Sequence, residues 1–329
     1  MPVTVWGLAI LILSLLAFTA LFLAFSNGAN DNFKGFATVW GSATLEYRKA
    51  LILATVATVL GGVASVILAH GLIDQFSGKG LVGNELAATP RFALAVASGA
   101  ALTVILATRF GFPISTTHAL VGGLIGAALA QSSDPIQLGK LGSNFIVPLL
   151  TSPIISATLA WLIVLFIRNG AKWSKNSPPA SGPWAHRIHL LSATCICFAR
   201  GVNDTPKLAA LLVAASLLDG TMAAIGVTVA MGIGGWLLSR RVAETMSHKI
   251  NRLDPAQGIS ANLVTASLVL CASRLGLPVS TTHVSVGSII GSGAAAGTLD
   301  LSVVRNILLS WVATLPIAAA IAFLVGCAA

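Results

Sequence analysis

Charge is what this sequence has least of. Only 9% of its 329 residues are Asp, Glu, Lys or Arg and 56% are hydrophobic, whereas a soluble domain carries about 25% charge. That shortage excludes an ordinary soluble enzyme and points to a chain that lives in lipid. Long polar sequence is missing too: the largest loop, near 168–187, is too short to bury a core, so no soluble domain is expected. Cysteines are few, and Cys195, Cys197, Cys271 and Cys327 all fall in apolar segments. Cys195-x-Cys197 has no second cysteine pair to complete a metal site and reads as small buried hydrophobes.

What the chain does have is apolar runs of spanning length, at about 3–25, 50–70, 92–108, 143–167, 221–239, 256–273 and 303–326. They predict an all-α polytopic membrane protein. The first run has no basic segment before it and no small-residue cleavage site after it, so it reads as an uncleaved first helix. The formal net charge of +9 sits in loops that flank apolar segments, which sets membrane orientation and gives no reason to expect nucleic acid. Arg168, Lys172, Lys175 and Arg187 surround one such loop, and Arg240, Arg241, Lys249 and Arg252 mark another. Both are expected on the cytoplasmic side, which requires an even number of crossings between them. A broken crossing over 188–217 and a return over 221–239 would satisfy that.

The sequence also repeats itself. The block from Thr108 through Pro113, Ser115, Thr116 and Thr117 to His118 is echoed by the block from Ser273 through Pro278, Ser280, Thr281 and Thr282 to His283. Upstream, Gly28-Ala29-Asn30-Asp31-Asn32-Phe33-Lys34 is echoed by Gly201-Val202-Asn203-Asp204-Thr205-Pro206-Lys207. The offset is 173 residues from Gly28 to Gly201 and 165 from Pro113 to Pro278, in the same order, so this is a tandem duplication. The expected organisation is a first transmembrane repeat over 1–170, a polar, basic linker over 171–187 and a second repeat over 188–329.

Of the ten acidic residues, all but Asp31 and Asp204 lie in or beside loops. Ionisable groups at membrane depth cost at least ~2.5 kcal/mol each on insertion scales, so they line a pathway or pair internally. Lys34 and Lys207, three residues on, could supply that pairing on one helical face, and the two readings can coexist. In each half Gly-x-Asn-Asp separates two apolar runs, which predicts a helix broken inside the membrane, with Asn and Asp capping the restarted piece. Asn30, Asp31, Asn203 and Asp204, with freed carbonyls, are candidate ligands for a small cation such as sodium.

The Pro-x-Ser-Thr-Thr-His clusters carry a different chemistry. With proline in the first turn and Ser or Thr at the cap, each reads as the start of a half-helix whose free N–H groups bind an anion. Ser115, Thr116, Thr117, Ser280, Thr281 and Thr282 would add neutral donors around a tetrahedral oxyanion. The bland alternative, hydroxyls bonded back to their own helix, explains one cluster better than a duplicated pair. His118 and His283 read as groups that position those hydroxyls or that titrate. Arg109 and Arg274 read as interfacial residues that cap the preceding helix or draw anions to the entrance, and Arg200 as interfacial.

These motifs together resemble the inorganic phosphate transporter family, the PiT or solute-carrier 20 type, which includes bacterial sulfate permeases. The resemblance covers essentially the whole chain: Gly28–Asp31 and, with Val202 in place of Ala, Gly201–Asp204 match its Gly-Ala-Asn-Asp signatures, and Pro113–His118 and Pro278–His283 match without substitution. It implies two inverted repeats with discontinuous or re-entrant helices forming a midplane site, a bacterial inner (plasma) membrane location, phosphate between the hydroxyl clusters, and coupling by sodium ions or protons near the Asn-Asp motifs. Lys34 stands where the family usually has asparagine, and Thr58 and Asn262 align with positions where it tends to have glutamate. A sodium site would thereby gain a competing ammonium and lose two carboxylates, so sodium coupling is expected to be weakened or replaced, with Lys34 in one cation's place and protons providing the coupling, whereas Lys207 agrees with the family's second motif.

The implied activity is secondary active symport of phosphate, or of sulfate in a permease of the same fold, with no covalent chemistry, no cofactor beyond that coupling ion, and a homodimer left open. A passive anion channel is the nearer rival. A remoter one is an intramembrane serine hydrolase using Ser115 or Ser280 with a histidine, against which duplication argues because a hydrolase needs one nucleophile.

Overall fold

A computed structural model describes residues 5–69, 71–173, 182–251 and 253–329. Among the described residues the protein is helical, with isolated bridges but no strand. The long helices of the first repeat are α1 (Val5–Asp31), α2 (Tyr47–Leu68), α3 (Pro90–Phe110), α4 (Thr116–Gln131) and α5 (Val147–Trp173). Those of the second are α6 (Pro183–Ala214), α7 (Gly220–Leu238), α8 (Pro255–Arg274), α9 (Thr281–Ala296) and α10 (Leu301–Ala328). Helix starts keep the motif offsets: 173 residues separate Tyr47 from Gly220, and 165 separate Pro90 from Pro255 and Thr116 from Thr281. The duplication therefore governs element boundaries as well as motifs. The first repeat's extra residues lie between α2 and α3, where the short helices Gly71–Phe76 and Asn84–Ala87 sit.

Seven described helices are long and apolar enough to cross a membrane, and each coincides with one of the apolar runs. Phe18, Ile67, Phe166 and Leu324 are exposed on their outer faces, as a lipid-facing surface requires. At 32 residues, α6 is the longest helix; about 48 Å at 1.5 Å per residue, it exceeds a hydrocarbon core of about 30 Å. Arg200, Asp204 and Lys207 interrupt its hydropathy. With 16 residues each, α4 and α9 reach only about 24 Å and are half-helices.

The repeats do not pack as separate bodies. A central group of α1, α2, α6 and α7 forms because α1 lies on α7 and α6 lies on α2. On one flank α3 and α4 pack with α10 of the other repeat; on the other flank α8 and α9 pack with α5. The main helix contacts that cross between repeats come in matching pairs, an arrangement consistent with two repeats related by an approximate two-fold axis. Gly28 and Gly201, which open the Gly-x-Asn-Asp motifs, explain how the central group closes. A Cβ on Gly28 would strike the Met231 backbone of α7, and one on Gly201 would strike the Thr58 backbone of α2.

Three expectations change. First, α1 does end at the motif, but Asn30 and Asp31 are its last residues and cap nothing; a turn over 32–36 follows, then the short helix Ala37–Gly41. Phe33 leaves the helix to pack on Trp40 and Tyr47, with ring centroids 5.6 and 5.0 Å away, and the freed Asn32 carbonyl accepts from the Cys197 thiol at 3.7 Å. Second, α6 runs unbroken through Gly201–Lys207. Its counterpart of Phe33 is Pro206, which forfeits one helical hydrogen bond while its fixed φ still suits the helix. The crossing expected to be broken over 188–217 is therefore continuous. Third, α5 reaches Trp173 and α6 starts at Pro183, so the connection is shorter than 171–187. Its centre, 174–181, lies outside the described residues, as does Arg252.

Replacing Gly201 by Val forces α6 and α2 apart. The expected loss, about 1–3 kcal/mol for overpacking, is read as a lowered unfolding midpoint of the purified protein. Gly220→Val, where a Cβ meets nothing within 4 Å, should leave the midpoint in place.

Candidate oxyanion site

The connections α3–α4 and α8–α9 carry the polar clusters to the middle of the protein. Each turns on a left-handed glycine, Gly111 at φ 75° and Gly276 at φ 68°, a conformation that glycine adopts without steric cost. That is the glycine of the repeated Arg-x-Gly-x-Pro block. Ser115 and Ser280 are the N-caps of α4 and α9, accepting from the backbone N–H of His118 at 3.0 Å and of His283 at 3.2 Å. Pro113 and Pro278 therefore lie ahead of the helices rather than in their first turns as expected, because the serine cap ends the extended segment.

Asn30 and Asn203 hold these connections in place. Asn30 donates to Thr108 at 2.9 Å and to the Phe112 carbonyl at 3.0 Å, and accepts from the Ile114 N–H at 3.2 Å. Its counterpart accepts from Ser273 at 3.0 Å and donates to the Val279 carbonyl at 3.4 Å.

Between them the two half-helix ends meet. Thr282 donates to the Ile114 carbonyl at 2.7 Å and Thr117 to the Val279 carbonyl at 3.4 Å, so each end is tied to the other repeat's connection. Lys34 repeats the crossing, bonding to Asp31 and Thr282 and, at 3.3 Å, to the Ile114 carbonyl. Lys207 mirrors it, bonding to the Val279 carbonyl at 2.6 Å and to Thr117 at 3.2 Å, with Asp204 3.7 Å away. The lysine–aspartate pairs anticipated from spacing are present, and they stand inside the site.

Arg200 corrects the reading of it as interfacial. It is 1% exposed and occupies the position equivalent to Asn27 at the 173-residue offset. Its guanidinium donates to the Asn27 side-chain oxygen at 2.6 Å and to Thr58 at 3.3 Å, and its Nε lies 3.4 Å from Asp204. Asn27, which the sequence reading passed over, turns its amide toward Thr116 at 3.0 Å, Asp204 at 3.3 Å and Asp31 at 3.4 Å. The signal that could have flagged both residues was their shared offset one place before each motif.

Three buried cations, Lys34, Arg200 and Lys207, thus face two carboxylates, Asp31 and Asp204. Counted as fully ionised, the cluster would carry one excess positive charge. Among the described residues the backbone N–H groups of Thr116, Thr117, Thr281 and Thr282 have no partner, and they add the positive ends of two helix dipoles. Such an arrangement suits an anion. Asn30 and Asn203 bond to the connections, and Asp31 and Asp204 lie beside Lys34, Arg200 and Lys207. No group of three His, Cys, Asp or Glu fit for a metal occurs among the described residues.

Through their backbone N–H groups His118 and His283 bond to the Ser115 and Ser280 hydroxyls, but among the described residues their rings make no hydrogen bond to those hydroxyls. Their rings meet each other edge to face at 4.5 Å, and His283 stacks on Trp311 at 3.9 Å. Trp311 donates to the Pro113 carbonyl at 3.0 Å. The Nδ1 of His283 lies 3.1 Å from the Leu149 carbonyl and so carries the proton, which leaves Nε2 unpartnered. Arg109 and Arg274 are exposed in the last turns of α3 and α8, away from the cluster.

A family model described as the phosphate transporter family matches residues 27–322, a span that contains every residue of this site. The chain belongs to the phosphate transporter family. A relative in Rhizobium meliloti, named "probable low-affinity inorganic phosphate transporter", is 31% identical over 325 residues, covering 93% of this chain and 92% of that one. One of the same name in Bacillus subtilis is 28% identical over 327 residues, with 93% of each covered. The solved structure named "The sodium-dependent phosphate transporter" superposes with a TM-score of 0.80 over 96% of this chain and 98% of that one, at 24% identity. This member of the family is a multi-pass membrane protein and not an enzyme, and a bacterial inner membrane fits its bacterial relatives.

Lys34→Ala would leave Asp31 buried beside no ammonium of its own, a change expected to cost about 3–5 kcal/mol. Adding Asp31→Asn should recover most of that loss. Denaturant unfolding of the two single variants and the double gives the coupling energy directly.

Proposed function

We propose that the protein is a secondary active symporter that takes up an inorganic oxyanion, phosphate ahead of sulfate, together with protons by alternating access. The observation that carries this reading is the buried cluster with one surplus positive charge, set against two half-helix ends with four free N–H groups. An anion entering there neutralises the surplus and exchanges its hydration for fixed donors. A free sodium ion would meet the same surplus as repulsion, and Lys34 already bridges the carboxylate and hydroxyl it would need.

Moving a dianion into a negative interior costs about 2.3 kcal/mol per charge per 100 mV, so uphill uptake needs accompanying cations. Protons fill that role, and the unpartnered nitrogens of the His118–His283 pair offer them a place at the meeting of the two flanks. Because the flanks mix repeats, the moving bodies are α3–α4–α10 and α5–α8–α9 against the central four helices, rather than one sequence half against the other. The site is exposed alternately as the threonine–carbonyl ties on each side release.

Reconstituted into proteoliposomes, the protein should accumulate labelled phosphate against its gradient in sodium-free buffer when a proton gradient is imposed. An absolute sodium requirement without response to the proton gradient refutes the coupling, and downhill flux alone favours a channel. Sulfate should compete within about tenfold of phosphate, a difference of about 1.4 kcal/mol. Monohydrogen phosphate carries a donor proton that sulfate lacks, but both carboxylates able to accept it are engaged with cations.

A further inference from the structure

The two half-helix ends are equivalent in sequence but not in their surroundings, and Arg200 is the cause. Asn27 and Arg200 stand at matching positions of the repeats. If symmetry held, each would serve the threonine that opens the half-helix of its own repeat. Asn27 does, donating to the Thr116 hydroxyl at 3.0 Å. Arg200 instead reaches back across the two-fold axis. Its donors go to the Asn27 oxygen at 2.6 Å, the Asn27 carbonyl at 3.3 Å and Thr58 at 3.3 Å. Its grip on the Asn27 oxygen fixes which way that amide points, so the NH2 group is held toward Thr116. The Thr281 hydroxyl, left without Arg200, makes no hydrogen bond among the described residues, although the residue is only 5% exposed.

We infer that Arg200 is a positioning residue that turns the Asn27 amide onto the Thr116 hydroxyl, so that the oxyanion sits nearer the α9 end, against the unengaged Thr281 hydroxyl and the N–H groups of Thr281 and Thr282. The anion sits off the two-fold axis. This rests on the proposed function above, since it subdivides the same site.

Equivalent substitutions separate the two ends. Thr281→Val should raise the KM for phosphate uptake in proteoliposomes at least about tenfold, or about 1.4 kcal/mol, with little change in maximal rate, whereas Thr116→Val should change KM less than about threefold, under 0.7 kcal/mol by the same relation. Arg200→Gln frees the Asn27 amide, so in that background Thr116→Val should become costly, and Arg200→Lys should restore part of the phosphate affinity. Equal effects of Thr116→Val and Thr281→Val, or a larger effect at Thr116, overturn the inference, and this comparison stands even if Arg200→Gln does not fold. Failure of the unsubstituted protein to bind or carry phosphate would instead defeat the underlying transport reading.

Discussion

A buried cluster of three basic and two acidic side chains organises this protein. Three cations and two carboxylates share a low-dielectric interior, where an isolated ion would be ruinous and even a paired one is costly. The cluster tolerates its surplus because each ammonium is also held by backbone carbonyls and threonines from both repeats. Those same bonds draw together the ends of α4 and α9. The central helices must then approach closely enough to bring Arg200 to Asn27, which is why the glycines opening the two motifs have no room for a side chain. Charge, helix crossing and ligand chemistry are one constraint met in three places.

Much of this was legible in the chain. The apolar runs give the spanning helices because lipid leaves backbone polar groups no partner but their own helix. The repeated Ser-Thr-Thr-His blocks give the paired helix starts because a serine cap is a local signal. The pairing of Asp31 with Lys34 and of Asp204 with Lys207 follows from helical spacing. Each of these depends on neighbours within a few residues, and the sequence carries such information directly.

What was hidden depends on partners far away in the chain. Whether Gly-x-Asn-Asp breaks a helix is decided by the aromatic cluster that draws Phe33 out and by its absence around Pro206. The role of Asn30 is set by Thr108 and Ile114, and that of the histidines by each other and by Trp311. Arg200 looked interfacial because a lone arginine near an apolar run usually snorkels; only the packing of α6 on α2 sinks it into the centre.

The mirrored packing between repeats bears on ancestry. A chain holding one repeat alone would present α1 without its α7 and α4 without its α10, two faces built for a neighbour. Its natural complement is a second copy of itself, because the faces left bare in one copy match the partner faces of the other. Two repeats joined in one chain need not be identical, and the position matching Asn27 can hold an arginine that bonds to it.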